Sequence, residues 1–245
     1  MGRLGVVLDY SQLSDKIYHV LRDKIIRLQF GSGERLDVMG LAEELNVSST
    51  SVKVAVNRLA LEGLLEVLPR YGTFVSSISA KDVADITAAR LMIELFAVET
   101  GLHAVAQSDL EHMIEINSGM ERIRASEAPS DADVERYFAL NSEFHASLVH
   151  LARNRRIDDM YAALNILIKW TWAYYSKVPF DPSPSLSDHT PILEACARRN
   201  VAAAREALRQ QIETAGRKAV DALTKTQAAT NEQHENRRRR WTRGR

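Results

Sequence analysis

Apolar residues recur every three or four positions along the first quarter of the chain, which is the spacing of one helix face. This pattern predicts a helix over residues 14–28, with Ser14 as its N-cap. A short second helix is predicted over 38–45. A third is predicted over 48–62, with Ser48 as its N-cap and Asn46–Ser48 as the preceding turn.

After Gly63 the helical spacing gives way to two short β-like runs. Residues 64–68 and 73–75 predict two strands, and residues 69–72 predict the turn between them. The order of helix, helix, turn, helix and hairpin is typical of a winged helix-turn-helix, whose third helix enters the major groove of DNA. We therefore expect a DNA-binding domain over residues 1–78.

The rest of the chain has a helical pattern almost throughout, beginning with a capping-box-like start at Ser79–Asp82. The predicted helices cover residues 80–90, 91–106, 108–125, 132–152, 155–175, 186–197 and 201–225. Six or seven such helices predict an antiparallel bundle over residues 79–228. The fold class is thus mostly α, with a small hairpin in the first domain and a basic tail, predicted to be disordered, over residues 229–245.

Composition narrows the class of protein further. The 245 residues contain only 11 Gly and 6 Pro, which favours helices over an all-β fold. The one cysteine, Cys196, cannot form an intramolecular disulfide, which fits a cytoplasmic protein. No stretch approaches the roughly 20 apolar residues that a membrane span needs, so no membrane association is expected.

Net charge is zero, but the charges are unevenly distributed. Residues 1–78 carry 9 basic and 9 acidic side chains, and residues 231–245 carry 6 and 2. No acidic residue occurs from 45 to 61, and the spacing of Ser49, Lys53 and Asn57 places them on one helix side. A surface that faces phosphates needs to lack carboxylates, although a solvated helix face can lack them too. Arg70 at the hairpin tip favours the DNA-binding interpretation.

Four segments resemble the GntR-family DNA-binding domain: GERL at 33–36, LAEELNVS at 41–48, AVNRLALEGLL at 55–65 and GTFV at 72–75. The match covers most of residues 14–76. The resemblance implies that operator DNA is contacted by Arg35, Ser48, Ser49, Thr50, Ser51, Lys53, Asn57, Arg58, Arg70, Tyr71 and Gly72.

The chain departs from that family at positions that matter for reading DNA. Ser32 stands where members usually have Pro, and Met39, Ser49 and Lys53 stand where they usually have Arg. Arginine can donate two parallel hydrogen bonds to a guanine base, which the single hydroxyl of serine cannot do. Lysine keeps the positive charge of arginine but lacks its planar pair of donors. We therefore expect an operator unlike the common family consensus, or weaker binding to it.

The second half resembles the FCD domain of the FadR-type branch of the same family. The similarity lies in RLMIE at 90–94, NSEFH at 141–145 with Asn154, DHTPILEA at 188–195, and LRQQI at 208–212. The resemblance implies a homodimer that binds a small effector, a carboxylate in many members. Arg90 is the residue expected to pair with that carboxylate, although it also stands four residues before Glu94, with which it can form an ion pair.

Many members bind a divalent metal in this domain with one Asp and three His, which the resemblance carries over to Asn141, His145, His189 and Gln211. Amide oxygens are poor ligands for Zn or Ni. Three interpretations of the four residues stay open: a metal-free effector pocket, a degenerate site in which His145, His189 and Asn141 hold a metal, and a set of satisfied buried polar groups. The aromatic run Trp170, Trp172, Tyr174 and Tyr175 could line a pocket, but helical geometry spreads it over more than one face, so most of it is interpreted as core or dimer contacts.

The leading functional hypothesis is a ligand-responsive transcriptional regulator, a repressor or an activator with repression favoured, that binds a pseudo-palindromic operator as a dimer. One alternative is a DNA-binding protein whose effector pocket has decayed. Another is a metal-dependent enzyme that uses His145 and His189, but the chain lacks a His-Glu-x-x-His motif, a phosphate loop and a nucleophile elbow. We therefore predict that the protein is not an enzyme. The identity of the effector and the operator sequence do not follow from the sequence.

Overall fold

A computed structural model describes residues 10–176 and 188–243 of the chain. The chain divides into two compact units, Met1–Ile78 and Ser79–Arg245. None of the helices described is both long enough and apolar enough to span a membrane.

The first unit contains three helices and a small sheet. Its elements are α1 (Tyr10–Ile26), β1 (Arg35–Leu36), α2 (Val38–Glu44), α3 (Ser49–Leu61), β2 (Leu65–Leu68) and β3 (Gly72–Val75). The strands are antiparallel in the order β1-β3-β2. The winged helix-turn-helix is thereby confirmed, with one strand more than predicted, because two residues before α2 pair with Phe74 and Thr73 of the hairpin.

Local signals in the sequence fix the short helices. The Asp37 side chain accepts hydrogen bonds from the backbone N–H groups of Met39 and Gly40 at 3.1 and 3.0 Å, which caps α2. The Ser48 side chain accepts from the N–H of Ser51 at 3.1 Å and caps α3. The apolar faces of α1 and α3 then pack together, and the buried residues of this core include Ile17, Leu21, Ile25, Val52, Val56, Leu59 and Leu64.

The start of α1 corrects the prediction that Ser14 caps it. The helix begins at Tyr10, and Ser14 is buried within it. A serine serves as a cap only where the chain before it leaves the helix, and here the helix continues through that residue. The small hydroxyl side chain is instead accommodated inside the unit.

The second unit is helical throughout the residues described. Its elements are α4 (Ala80–Gly101), a 3₁₀ turn (Leu102–Ala104), α5 (Gln107–Arg124), α6 (Asp131–His150), α7 (Arg155–Ser176), α8 (Thr190–Ala197) and α9 (Val201–Arg243). Ser79 and Asp82 form the predicted capping box at the start of α4. In this bundle α4 packs against α6, α7 and α9, and α5 packs against α6 and α8.

Three helices of this unit differ from the predicted ranges by more than two residues. α4 is continuous where a break was expected between residues 90 and 91, because no Gly or Pro interrupts it there. α8 begins at Thr190, with Pro191 in its first turn, while the predicted residues 186 and 187 lie outside the described part. α9 extends to Arg243, so the helix continues through a tail that was expected to be disordered.

Gly101 allows the end of α4 to lie close to the backbone that follows α6. A Cβ atom on Gly101, at the end of α4, would lie 2.0 Å from the backbone carbonyl oxygen of Leu151 and 2.7 Å from the backbone N of Ala152. Because these obstacles are backbone atoms, they cannot rotate away. The residue after α6 can therefore lie against α4 only where α4 has no side chain, which fixes α6 and the polar residues it carries relative to α4.

Candidate DNA interface and effector site

The exposed side of α3 is polar and free of carboxylates. Thr50, Lys53 and Asn57 are exposed and Ser49 is partly exposed, at the three- and four-residue spacing that places them on one side of the helix. Val54 is 53% exposed and adds an apolar group to this surface that sequence reasoning did not single out. α3 has no Asp or Glu between Ser49 and Leu61, so no carboxylate on this helix would repel a phosphate.

Three residues of the predicted DNA-binding set, Ser48, Ser51 and Arg58, have structural partners within the unit. Ser51 is 3% exposed, and its hydroxyl lies 2.9 Å from that of Ser48. The guanidinium of Arg58 lies over the ring of Tyr18 at 3.7 Å and donates to Asp15 at 3.0 Å. Ser51 thus belongs to the N-terminal cap of α3, and Arg58 joins α3 to α1.

Tyr18 strengthens the joint between α1 and α3. Its hydroxyl lies 2.8 and 2.9 Å from the two carboxylate oxygens of Glu62. Burial and the neighbouring Glu62 carboxylate raise the pKa of the tyrosine, so it stays a hydrogen-bond donor. This joint holds the exposed side of α3 in a fixed orientation relative to the rest of the unit.

The wing turn brings three further predicted residues together. Arg70 adopts φ 70° and Gly72 φ 126°, so the turn needs a residue without a side chain at position 72. Tyr71 is 74% exposed at the tip. A Cβ atom on Gly72 would lie 2.9 Å from Nε of Arg35, which shows that the Arg35 side chain lies directly against the wing. Two arginines therefore share this end of the sheet.

The predicted effector residues, together with Glu94, form a polar cluster inside the helical unit. Its members are Arg90 and Glu94 on α4, Asn141 and His145 on α6, His189 immediately before α8, and Gln211 on α9. The two histidines and Glu94 have no exposed surface. Helices that are distant in sequence thus bring their polar side chains to one place in the bundle.

An unbroken chain of charge-assisted contacts runs through this cluster. Nε of Arg90 donates to Oε1 of Glu94 at 2.6 Å, and Oε2 of Glu94 lies 2.6 Å from Nδ1 of His145. Burial alone would raise the pKa of Glu94, but the charge of Arg90 and the hydrogen bond from His145 hold it below its usual value. Burial and the positive charge of Arg90 lower the pKa of His145, which favours the neutral imidazole.

The second histidine lies beside the first. The ring centroids of His145 and His189 are 5.3 Å apart, and the Phe144 ring packs on His189 at 4.9 Å. Nε2 of Gln211 lies 3.2 Å from Nε2 of His189. Asn141 is buried one helical turn before His145 on the same face of α6.

Two acceptor atoms of this cluster are buried without a hydrogen-bond partner among the described residues: Nε2 of His145 and Oε1 of Gln211. A buried polar atom without a partner costs free energy that a ligand can recover. The atoms therefore mark a place where a donor from a bound molecule would fit.

The donor set does not fit a zinc or nickel centre. The four positions supply two imidazoles and two neutral amides, whereas these metals prefer imidazole, thiolate or carboxylate ligands. The His189 nitrogen that would bind a metal is the one next to the Gln211 amide nitrogen. Among residues 10–176 and 188–243, no group of three or more His, Cys, Asp or Glu side chains is arranged to hold a metal ion.

A shallow groove lies between α4, α7 and α9 and reaches Arg90; its empty space of about 330 Å³ includes the solvent in front of it, and the enclosed part has room for only a water molecule or two. Its other walls are mostly apolar: Val83, Ile86, Thr87, Ile168, Thr171, Trp172, Ile212, Ala215, Gly216 and Ala219. Of the predicted aromatic cluster, Trp170 is buried and Trp172 lines this groove and stacks on Phe138 at 5.2 Å. The side chains of Tyr174 and Tyr175 lie outside the described part.

Sequence reasoning missed two members of the polar network. Glu94 was recognised only as the partner of Arg90, and its contact with His145 requires α4 and α6 to be packed together. Tyr161 on α7 is buried beside Arg90 and Glu94, and burial followed by the Glu94 charge raises its pKa well above the ordinary value. Tyr161 has no sequence signal of its own, because its spacing from the other members is set by the tertiary fold.

The chain matches known families over both units. Residues 13–75 match bacterial regulatory proteins of the gntR family, and residues 85–214 match the FCD domain. The uncharacterized HTH-type transcriptional regulator YdhC of Bacillus subtilis is 27% identical over 191 residues, which cover 78% of this chain and 84% of that protein. The HTH-type transcriptional repressor RspR of Escherichia coli K12 is 24% identical over 205 residues, which cover 82% and 86%.

The fold also resembles solved structures. A GntR protein from Rhodococcus sp. RHA1 superposes with a TM-score of 0.71 at 21% identity, over 86% of this chain and 99% of that one. At this identity the likeness concerns the fold alone.

Proposed function

Because the chain belongs to the GntR family of bacterial regulatory proteins and carries an FCD domain, it is a DNA-binding transcriptional regulator, and we propose that it is a dimeric, acid-responsive repressor. In this proposal α3 reads a two-fold-symmetric operator, and an organic acid bound in the helical unit changes the affinity for that operator. The single observation that carries the proposal is the exposed, carboxylate-free side of α3, with Lys53 at its centre.

The DNA contacts that we propose use the exposed members of the predicted set. Thr50, Lys53 and Asn57 face the major groove, while Arg35 and Arg70 meet the backbone or minor groove beside the wing. Lys53 supplies a point charge in place of a forked guanidinium, which supports an operator that differs from the family consensus. Ser51 and Arg58 contribute by holding α3 in place.

The dimer surface that we propose lies on α4. Met92 and Phe96 stand one turn apart and are 63% and 47% exposed. Large apolar side chains exposed side by side are typical of a protein interface. A two-fold dimer would present two copies of α3 to the two halves of the operator.

The effector site that we propose is the polar cluster of the helical unit, without a metal. Arg90 pairs with the acid group, and Asn141, His145, His189 and Gln211 supply hydrogen bonds to the rest of the ligand. The open acceptors on His145 and Gln211 support this assignment. Binding would shift the population between dimer geometries with different affinity for DNA. We propose repression as the outcome of operator binding, in line with the relative RspR, which is named a transcriptional repressor.

We propose binding, and not catalysis, for His145 and His189. Nδ1 of His145 is taken by Glu94, and its Nε2 has no hydroxyl or thiol partner among the described residues that it could activate. Nε2 of His189 lies beside the amide of Gln211, which is not a nucleophile. The thiol of Cys196 is buried, which raises its pKa to about 12 and keeps it protonated. The described residues therefore do not combine a nucleophile with a base in the way that covalent catalysis needs.

Selection of tight-binding duplexes from a random library tests the proposed function. At about 0.15 M salt, the protein should enrich one inverted repeat whose half-sites are centred about 10 base pairs apart or a multiple of that. A library that stays random after several rounds would contradict operator recognition. An enriched motif without two-fold symmetry would contradict the dimer.

The dimer has a separate test. Sedimentation should show two chains for the natural protein and one for the double variant Met92→Glu and Phe96→Glu. The variant Ile114→Glu, which changes an exposed apolar residue of α5, should remain dimeric. A double variant that still sediments as a dimer would exclude this surface.

A further inference from the structure

We infer that Val54 on α3 determines part of the operator sequence by contacting the C5-methyl group of a thymine in each half-site. This inference rests on the proposed function, in which α3 lies in the major groove, and adds to it one base that the operator must present there. Because Val54 has no polar side-chain atom, the contact selects a base by its shape and apolar surface, without a hydrogen bond.

Val54 lies on the side of α3 that faces away from its own unit. The buried residues of the helix share the other side: Ser51, Val52, Ala55, Val56 and Leu59. Successive residues of an α-helix are about 100° apart around its axis, which places Thr50 and Asn57 opposite the buried side. Lys53 and Val54 then lie about 50° to either side of that pair. Val54 is therefore as close to the centre of the exposed side as Lys53 is.

Nothing within α3 accounts for an apolar side chain at this position. Val54 is 53% exposed, and a β-branched residue at an exposed position adds neither helix propensity nor burial. The exposed residues one turn before and after it, Thr50 and Arg58, are polar. Leu61, the next large exposed apolar residue of the helix, lies about 10 Å further along the axis. The two residues on α3 are too far apart to form one apolar patch for a protein partner, so the surroundings favour a contact with DNA.

The major groove offers one apolar group that such a side chain can meet. Of the four unmodified bases, thymine alone carries a methyl group on its major-groove edge. Contact between this methyl group and the two methyl groups of Val54 removes apolar surface of both molecules from water, which is favourable. The same contact with any other base would leave the side chain against polar atoms or solvent.

The neighbour of Val54 distinguishes thymine from 5-methylcytosine, which carries the same methyl group. Beside the methyl group thymine presents the O4 acceptor, whereas cytosine presents an amino donor. Lys53 precedes Val54, and its ammonium group can only donate. A donor beside the apolar contact favours thymine.

Replacement of single thymines by deoxyuridine in the selected duplex tests this inference, because uracil lacks only the methyl group. Fluorescence anisotropy with the full chain should identify one thymine per half-site at which uracil weakens binding about fourfold, the effect of one lost apolar carbon contact. A 5-methylcytosine–guanine pair at the same position should bind more weakly than the thymine–adenine pair. The inference is overturned if no uracil substitution weakens binding, or if 5-methylcytosine binds as tightly as thymine.

Variants assign the methyl contact to its side chain. Val54→Ser should bind the thymine and uracil duplexes with equal affinity. Val20→Ser changes a valine of α1 that is 43% exposed, and this matched control should keep the fourfold difference. If Val54→Ser keeps the difference, another side chain contacts the thymine, and the assignment is wrong.

The outcome also separates this inference from the proposed function. A duplex library that stays random contradicts operator recognition and the inference with it. An enriched inverted repeat without a uracil-sensitive position that depends on Val54 overturns the inference alone.

Discussion

Nδ1 of His145 on α6 lies 2.6 Å from Oε2 of Glu94 on α4, with both side chains fully buried. The lowered pKa of Glu94 makes it an acceptor, so the neutral imidazole donates from Nδ1 and presents Nε2 as a lone pair. One carboxylate thus fixes both the orientation and the tautomer of the histidine at the centre of the proposed effector site. The same carboxylate holds Arg90, which connects the histidine to the groove between α4, α7 and α9.

Removing the Glu94 charge should destabilise the helical unit strongly. Glu94→Gln keeps the side-chain volume but leaves the Arg90 guanidinium buried without its counter-ion, which costs about 3–5 kcal/mol. Urea unfolding followed by tryptophan fluorescence measures this unit alone, because Trp170, Trp172 and Trp241 all belong to it. Glu194→Gln, which breaks an exposed ion pair with Arg198, should cost less than about 1 kcal/mol. Similar losses in the two variants would contradict the role of Glu94.

Stability of the helical unit should fall in mild acid. The pKa of His145 is lower in the folded chain than in the unfolded chain, so the unfolded chain binds the proton first. The contribution of His145 to the free energy of unfolding is complete above the pKa of the unfolded chain, about 6.5. It declines as the pH falls from there toward the lower pKa of the folded chain. The lowered pKa of Glu94 acts in the same direction at more acidic pH.

His145→Gln should remove the histidine part of this slope. The free energy of unfolding, measured by urea titration at a series of pH values from about 7 downward, should depend less on pH in the variant than in the natural chain. Identical slopes would show that His145 does not titrate as the geometry requires.

Any side chain at position 101 should disrupt the contact between α4 and the end of α6. In Gly101→Ala the new Cβ atom would overlap backbone atoms of Leu151, so we expect a loss of about 3 kcal/mol, the upper end for overpacking. The neighbouring exposed variant Thr100→Ala should change stability by about 0.5 kcal/mol or less. Thermal unfolding of the two variants gives the comparison, and a stable Gly101→Ala protein would refute the close approach.

Cys196 should be unreactive in the folded protein. Burial raises the pKa of its thiol to about 12, so almost no thiolate exists at pH 8 and reagents cannot reach the sulfur. An Ellman assay should detect no thiol under native conditions and one per chain in denaturant, since the sequence has a single cysteine. Rapid native reaction would show that the core around α8 is open.

Lys53 should contribute to DNA binding through its charge. Lys53→Ala is expected to weaken binding about tenfold and to reduce the slope of log affinity against log salt by about 1 if the contact is to a phosphate. Arg198→Ala removes a positive charge from the exposed surface of the other unit and should leave both quantities unchanged. Unchanged affinity in Lys53→Ala would move the DNA-binding surface away from α3.

The fold of the first unit could be predicted from sequence because its signals are local. Caps, apolar spacing and turn residues identify α2, α3 and the hairpin. The pairing of β1 with β3 was missed, because a strand of two residues has no alternating pattern to detect. The spacing of Lys53 and Asn57 correctly predicted the exposed side of α3. The burial of Ser51 was not predicted, because it depends on which side of α3 packs against the rest of its unit.

The candidate effector site could be predicted only in part. Position and residue type indicated that Arg90, Asn141, His145, His189 and Gln211 share one region of the bundle. The shared carboxylate of Glu94 and the buried Tyr161 follow from helix packing, which joins residues 51 positions apart in the case of Glu94 and His145. The sequence identified Gln211 as a candidate ligand but could not show that its amide nitrogen lies beside His189. The conclusion that the site does not fit a metal therefore uses the structure as well as the residue types.

The most direct test of the central claim compares two affinities of the full chain. Fluorescence anisotropy at about 0.15 M salt should give binding to the selected inverted repeat at least 10³-fold tighter than to a scrambled duplex of the same composition, a ratio on the order of that of specific regulators. A ratio close to one would mean that α3 meets only the phosphate backbone, and the account of this chain as an operator-reading regulator would be contradicted.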